Sequence, residues 1–389
     1  MGLQRNIIFT EGNELTLLNS GVEFFPALIS AIDSAQTEIY LETYIFSEDM
    51  TGRLVHDALC RAAQRKVRVH VIADWLGTGN QRSKDLAASF AARSVQFRRY
   101  NPWFMRGFAR THRKLFVVDQ QLAIIGGINI NHDLFAEGEN KHVLEFPRWD
   151  FAASVKGPLV GEIHQLMSDQ WKKSGRLDLR SRLKMLLPIG HRPPTPHRPV
   201  VAGLAPRDNF LFRRTIQKAY LHALGNARSR VMIATPYFAP GRKFRNALIN
   251  ASRRGVHVTL LIGCGDFRLQ DAVAHSYYPK LLKHGVEIFE YTKSQLHAKV
   301  AVIDNEWSTI GSCNCDGLSL LINQEANILI KDQDFARQLN LAIFQGIKDS
   351  VQIHLADYEN ISWNRKFWYG CAFFIYSALI RFIAVEDFM

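Results

Sequence analysis

Cysteine is too scarce and too irregular in this chain to carry metal or disulfide chemistry. Its five members, Cys60, Cys264, Cys313, Cys315 and Cys371, are odd in number. Cys313-x-Cys315 stands alone, where a structural zinc site needs a second pair or added histidines. The pattern fits a reducing compartment in which the thiols serve as small core residues. The opening "MGLQRNIIFT" has no apolar h-region, so no signal peptide is expected, and position 6 is neither Ser nor Thr, which argues against myristoylation. Acidic residues are also short, 36 against 48 basic ones, a formal charge of +12. That surplus predicts attraction to phosphate-rich partners, nucleic acid or an anionic bilayer, without choosing between them.

What is present describes an ordinary globular protein. Apolar residues make up 47% and charged residues 22% of 389 positions, a length suited to two domains.

Two stretches repeat. "THRKLFVVDQQLAIIGGIN" (111–129) and "QLHAKVAVIDNEWSTIGSCN" (295–314) each place His, then Lys two residues on, then Asp, Gly and Asn at matching distances, all offset by 185 residues. "SAQTEIYLETYIF" (34–46) likewise matches "NARSRVMIATPYF" (226–238), and "AAQRKVRVHVIAD" (62–74) matches "ASRRGVHVTLLIG" (251–263). The order in each half is helix, strand, helix, strand, then the His-Lys strand, which predicts α/β layers around a mostly buried sheet. Two copies at this spacing indicate a duplication, not a solenoid.

We therefore divide the chain into a first half (1–171), a linker (172–205), a second half (206–360) and an apolar tail (361–389). Residues 172–199 hold eight Lys or Arg against one Asp, and five prolines from Pro188 to Pro199 prevent regular structure there. Such a segment is a solvated linker or a basic surface facing anionic headgroups.

In a strand, residues two apart share a face. His112 and Lys114 point together, as do His297 and Lys299. Asp119 and Asp304 fall on the opposite side and suit hydrogen-bonding supports better than reacting groups. At Gly126-Gly127 and Gly311-Ser312 the backbone is expected to bring N–H groups to an oxyanion. Asn129 and Asn314 add amide donors. Joined in one pocket, two imidazoles, two ammonium groups and two amides suit a phosphodiester in transit. Lysine and asparagine stabilise charge on the non-bridging oxygens. One neutral imidazole attacks phosphorus while the other, protonated, donates to the departing oxygen. This scheme needs no metal and no cofactor, and the adjacent lysines oppose zinc.

The doubled His-x-Lys-x4-Asp pattern resembles the phospholipase D superfamily, from "EGNELTLLNSG" (11–21) to about residue 350. "EGNELTLLNSGVEFFPALISAI", "LETYIFSED" and "HRKLFVVD…AIIGGIN" carry a closer likeness to the short cardiolipin synthases of bacteria. The resemblance implies two pseudo-twofold-related α/β/α domains sharing one active site and a phosphohistidine-type intermediate. It implies a catalytic set of His112, Lys114, Asp119, His297, Lys299 and Asp304, with His112 as nucleophile and His297 as acid/base. Gly127, Asn129, Ser312 and Asn314 are expected to contact the substrate phosphate. It also implies an acidic residue downstream of each motif that orients that motif's histidine, here Asp150 in "RWD" and Glu325 in "NQE". The implied reaction joins two phosphatidylglycerols into cardiolipin and releases glycerol, at the cytoplasmic side of a bacterial inner membrane. The alternative is hydrolysis of lipid or nucleic-acid phosphodiesters, although a nucleic-acid substrate would leave the apolar segments without a purpose.

Longer relatives begin with two membrane-spanning helices that this sequence does not display. Two segments are expected to meet lipid instead. "NPWFMRGFAR" (101–110) sets Trp103, Phe104, Met105 and Phe108 among arginines just before the first motif. The tail "FWYGCAFFIYSALI" (367–380) is too short to span a bilayer as a helix, at about 21 Å against roughly 30 Å of hydrocarbon. Lys366, Gly370, Ser377 and Arg381 are expected to form a polar stripe along it, consistent with lying in the interface or docking on the protein.

Overall fold

The computed structural model describes residues 7–105, 107–137, 142–175, 200–209, 211–358 and 361–384. The continuous apolar strands that dominate it, such as "LFVV" and "VAVI", are buried on both faces, as expected for a sheet covered by helices on either side.

The first half contributes β1 (Phe9–Asn19), β2 (Glu38–Thr43), β3 (Arg68–Asp74), β4 (Gln96–Tyr100), β5 (Leu115–Val118), β6 (Leu122–Gly126) and β7 (Phe151–Lys156). The second contributes β8 (Val200–Arg207), β9 (Arg230–Thr235), β10 (Phe238–Ala239), β11 (His257–Gly263), β12 (Glu287–Tyr291), β13 (Val300–Ile303), β14 (Trp307–Gly311), β15 (Cys315–Asp316), β16 (Glu325–Lys331) and β17 (Ser350–Ile353). In the first half the spatial order is β1-β7-β6-β5-β2-β3-β4, and in the second it is β8-β16-β14-β13-β9-β11-β12, with β17 added at the edge. The two orders correspond strand for strand. Antiparallel β1 and β8 pair at the centre, Phe9 opposite Gly203, and fuse both halves into one sheet of 15 strands.

Apolar packing follows this plan. One cluster lies under the helices of the first half, with Leu28, Ile32, Val55 and Leu59 fully buried. A second belongs to the other half, around Ile216, Phe244, Leu248 and Tyr278. A third runs across both, where helices Leu159–Ser174 and Gln333–Lys348 pack on the shared sheet face through Ile163, Met167, Phe335 and Leu339. That shared core fixes how the two motif strands face each other.

The linker is shorter than the sequence suggests. Lys172 and Lys173 continue a helix that ends at Ser174, and residues 200–205 already belong to β8. The proline-rich part of the basic segment, 176–199, lies outside the described residues.

The tail forms helix Trp363–Ala384, and Ala372, Tyr376 and Ile380, at intervals of four, are buried against the second half. Tyr376 Oη accepts the Gly317 N–H at 2.9 Å. Ser377, expected on a polar stripe, instead turns into this docked face. The opposite face exposes Trp363, Phe367, Phe374, Ile375 and Phe382. Among the described residues no helix is long and apolar enough to cross a membrane.

Candidate active site

The spacing in His-x-Lys-x4-Asp is the length of one strand and its turn. His112 and Lys114 precede β5, β5 takes four residues, and Asp119 opens the hairpin to β6. Asp119 and Gln120 both have positive φ, 50° and 55°, and Asp304 and Asn305 repeat this at 55° and 54°. These are the central residues of tight turns, closed by the Gln121 N–H on Val118 O at 3.0 Å and the Glu306 N–H on Ile303 O at 3.2 Å, and Asp and Asn tolerate such conformations better than most residues.

The Asp119 carboxylate accepts the backbone N–H groups of Gln36, Thr37 and Glu38 at 2.8–2.9 Å, and Asp304 accepts those of Arg228, Ser229 and Arg230 at the same distances. These bonds hold both carboxyls below the usual range against the effect of partial burial. Each Asp pins the start of the neighbouring strand, at the far end of the motif strand from the histidine. Neither reaches the reacting space, so the sequence-based catalytic set loses Asp119 and Asp304.

The histidines and lysines do converge. All four are largely buried; the His112 side chain is 12% exposed and that of His297 6%. His112 Nδ1 lies 3.0 and 3.1 Å from the two Glu325 oxygens and 3.1 Å from the Ser312 carbonyl. His297 Nδ1 lies 2.6 Å from Asp150 Oδ2.

The orienting carboxylates are thus crossed. Each histidine is held by the acid of the opposite half, not of its own, which corrects the assignment from resemblance. Backbone pairing explains the crossing. The His112 N–H donates to the Gln324 carbonyl at 2.9 Å, beside Glu325. The His297 N–H donates to the Trp149 carbonyl at 2.9 Å, beside Asp150. Short bridges, Thr111 with Gln324 and Trp149 with Leu296, align the segments across the junction.

Since carboxylate and carbonyl oxygens only accept, each Nδ1 carries a proton, and each Nε2 is turned toward the shared space. Burial lowers both histidines below their ordinary value. For His112 the Glu325 carboxylate partly offsets this, while His297, with Lys299 close by, falls to about 4 despite Glu137 and Asp150. Burial thus favours the neutral form of both imidazoles in the free protein, and the carboxylates beside them oppose it.

Burial, and for Lys114 the neighbouring Lys299, pulls the two ammonium groups down as well, Lys114 to about 7 and Lys299 to about 8. Lys114 Nζ donates to the His112 carbonyl at 2.7 Å, and Lys299 Nζ donates to that of His297.

Gly127 and Ser312 do not offer their backbone N–H groups to an oxyanion. Gly127 N–H donates to Phe151 O at 3.0 Å and Ser312 N–H to Ala326 O at 3.1 Å, both within the sheet. Their part is different. A Cβ at Gly127 would lie 2.3 Å from Asp150 Oδ1, so glycine makes room for the acid that holds His297. Ser312 instead donates its hydroxyl to Glu325 at 2.5 Å. Asn129 Nδ2 donates to both Glu137 oxygens at 3.1 Å, and Asn314 helps hold Asp316.

Three neighbours escaped the sequence reading. Glu137 sits 3.5 Å from His297 Nε2, Arg148 pairs with Glu137 and with Asp133, and Asn131 donates to Glu137 at 2.8 Å. No counterpart in the second half marks them, because an internal repeat reveals only what both copies share. Tyr44 also adjoins the site, its ring edge-on to His112 with centroids 5.0 Å apart.

Beside the site, Trp103, Met105 and Phe108 are exposed, with Trp103 leaning on Trp75 at 5.1 Å. A buried Arg110–Asp74 pair at 2.6 Å ties this loop, two residues before His112, to the end of β3. A separate cavity of about 670 Å³, lined by neither His112 nor His297, lies between the terminal helix and helix Arg268–Leu282. Tyr277, Tyr369 and Phe373 line it, with Arg245, Lys280 and Lys366 among its cations.

Comparison with known proteins agrees with the doubled architecture. The family described as "Cardiolipin synthase, PLD-like domain" matches residues 28–153 and 220–346, one match in each half. Cardiolipin synthase B of Escherichia coli K12 is 38% identical over 338 residues, covering 85% of this chain and 79% of that protein. A cardiolipin synthase of Clostridium perfringens strain 13 is 27% identical over 364 residues, 92% of this chain and 75% of the other. The crystal structure of a phosphatidylserine synthase from Haemophilus influenzae superposes with a TM-score of 0.71 at 15% identity, covering 95% and 94% of the two chains, which shows a common fold. With a family match in both halves and this identity to a curated relative, the chain belongs to the cardiolipin synthases of the phospholipase D-like family.

Proposed function

We propose that the shared site transfers a phosphatidyl group from one phosphatidylglycerol to another, giving cardiolipin and glycerol. The observation that carries this reading is the crossed arrangement: two buried imidazoles, each with Nδ1–H on a carboxylate of the opposite half, beside two buried lysines. In the first step His112 Nε2 forms a bond to phosphorus and the bond from phosphorus to the glycerol oxygen breaks. His297, protonated once the anionic diester adds its charge, gives that proton to the departing oxygen. In the second step a hydroxyl of the acceptor lipid returns a proton to His297 and attacks phosphorus, releasing His112. Lys114 and Lys299 stabilise the oxygens that gain charge. One phosphodiester is exchanged for another, so the reaction runs near thermoneutrality without a nucleotide or metal.

The lipid enters from an anionic membrane surface on the cytoplasmic side of a bacterial inner membrane. The exposed loop around Trp103 and the outer face of helix Trp363–Ala384 supply apolar contact, and the +12 charge supplies attraction. Incubation with phosphatidylglycerol vesicles, followed by mass spectrometry, tests the assignment. Cardiolipin and glycerol should accumulate together. Phosphatidic acid without cardiolipin would mean that water is the acceptor, and unchanged lipid would reject phosphatidyl transfer altogether.

A further inference from the structure

The first half places a carboxylate where the reading above requires a phosphodiester. His297 has one ring nitrogen free to meet substrate, since Asp150 occupies Nδ1 at 2.6 Å. Glu137 Oε2 stands 3.5 Å from that free Nε2. Asn129 Nδ2, expected to contact the phosphate, is spent on the same carboxylate at 3.1 Å.

The carboxylate is firmly held. Arg148 NH1 and Asn131 Nδ2 both donate to Oε1, the latter at 2.8 Å. The backbone on either side is clasped by Gln295, whose Oε1 accepts the Glu137 N–H at 2.8 Å while its Nε2 donates to the Glu137 carbonyl. Although burial opposes ionisation, Arg148, His297 and the two amides keep Glu137 far below the usual carboxylate range, so it stays charged at any working pH.

We infer that Glu137 is a tethered stand-in for the substrate phosphodiester, holding the His297 side of the pocket until the lipid headgroup displaces Oε2. A phosphoryl oxygen and this carboxylate oxygen cannot share the same place, and two anions in contact repel strongly. In the resting state Oε2 meets His297 and Oε1 meets Arg148 and Asn131, so the first oxygen can leave while the second keeps its partners. The inference rests on the phosphodiester reading, and it deepens it by giving the free enzyme an internal competitor for anionic headgroups. Because Glu137 belongs to the first half alone, it also distinguishes the two histidines. Among the described residues, His112 pairs with a carboxylate only through Nδ1, to Glu325, whereas His297 faces a second carboxylate at 3.5 Å.

The test uses the full chain and orthovanadate, a tetrahedral oxyanion that probes the pocket without lipid or turnover. Binding is measured by calorimetry for the wild type, Glu137→Gln and Glu137→Ala, with melting curves to confirm folding; Asp133 still pairs with Arg148 in both variants. The expected result is vanadate binding tighter by about tenfold or more in both, with a KM for phosphatidylglycerol lowered in parallel. Unchanged or weaker binding would overturn the inference. So would tightening that persists in the Glu137→Gln/His297→Ala double variant, since the anion would then lie elsewhere. A loss of kcat with KM and vanadate affinity unchanged would make Glu137 a partner in the chemistry instead. Failure of the vesicle assay alone would remove the lipid assignment and leave the vanadate result standing.

Discussion

The two halves build the same sheet and present different chemistry to the space between them. Seven strands correspond in order, and both histidines lean on the acid across the junction. Around His112 the support is Glu325, backed by the Ser312 hydroxyl at 2.5 Å. Around His297 the support is Asp150, which fits only because position 127 is glycine, and Glu137 faces the other ring nitrogen. Duplication supplied the frame, and single side chains differentiated the two ends of one pocket. The histidine with a single carboxylate partner suits a nucleophile, and the one that also faces Glu137 suits a group that handles protons and an incoming headgroup.

The bluntest way to break this comparison is to remove either imidazole. His112→Ala and His297→Ala should each lower turnover on the order of 10⁴-fold, because covalent and acid–base catalysis fail together. Retention of half the activity in either single variant would mean two independent sites. Lys114→Met and Lys299→Met are expected to cost about 10²–10³-fold in kcat, like loss of one oxyanion donor. The same ammonium groups set a pH limit. Their folded values are depressed to about 7 and about 8, so kcat/KM should fall as pH rises through that window, while a profile flat to pH 9 would contradict their role.

Exchanging the small residues sharpens the asymmetry. Gly127→Ala drives a methyl into Asp150 and should slow turnover by roughly 10- to 100-fold, as loss of an orienting carboxylate does beside metal-bound histidines. Ser312→Gly removes the hydroxyl that donates to Glu325 and accepts the Ala326 N–H but leaves that carboxylate on His112, and should cost only a few-fold. Equal effects would mean that the two supports are equivalent.

The smallest effect on catalysis belongs to the motif aspartates. Asp119→Ala or Asp304→Ala should reduce stability by about 1–2 kcal/mol, through lost hydrogen bonds to strand starts, and leave activity per folded molecule nearly intact. Their folded values lie below the unfolded one, so this contribution is present above the ordinary aspartate range and disappears as pH falls through the folded values. An acid melting series on the variants checks the sign.

Much of this was legible in the sequence because a repeat is visible without any structure. The doubled His-x-Lys pattern located His112, Lys114, His297 and Lys299, and the order of apolar runs indicated a buried sheet in each half. The aspartates could be read as structural from strand parity alone. What was not legible depends on three-dimensional pairing. Whether Glu325 serves its own half or the other is decided by the Gln324–His112 backbone bond, which no linear spacing records. The roles of Gly127 and Ser312 were misread because their backbone donors are consumed by neighbouring strands. Glu137 was invisible because it lacks a copy. The terminal helix shows a third cause. Its composition indicated an apolar surface, but the pairing of Tyr376 with Gly317 that docks one face exists only in the fold.

The crossed pairing is the claim on which the single shared site depends, and ring-nitrogen NMR on ¹⁵N-histidine-labelled protein tests it most directly. Glu325→Gln should shift the tautomer signal and titration of His112 and leave those of His297 in place, while Asp150→Asn should do the reverse. If Glu325→Gln instead perturbs His297 and spares His112, each half orients its own histidine and the account is wrong.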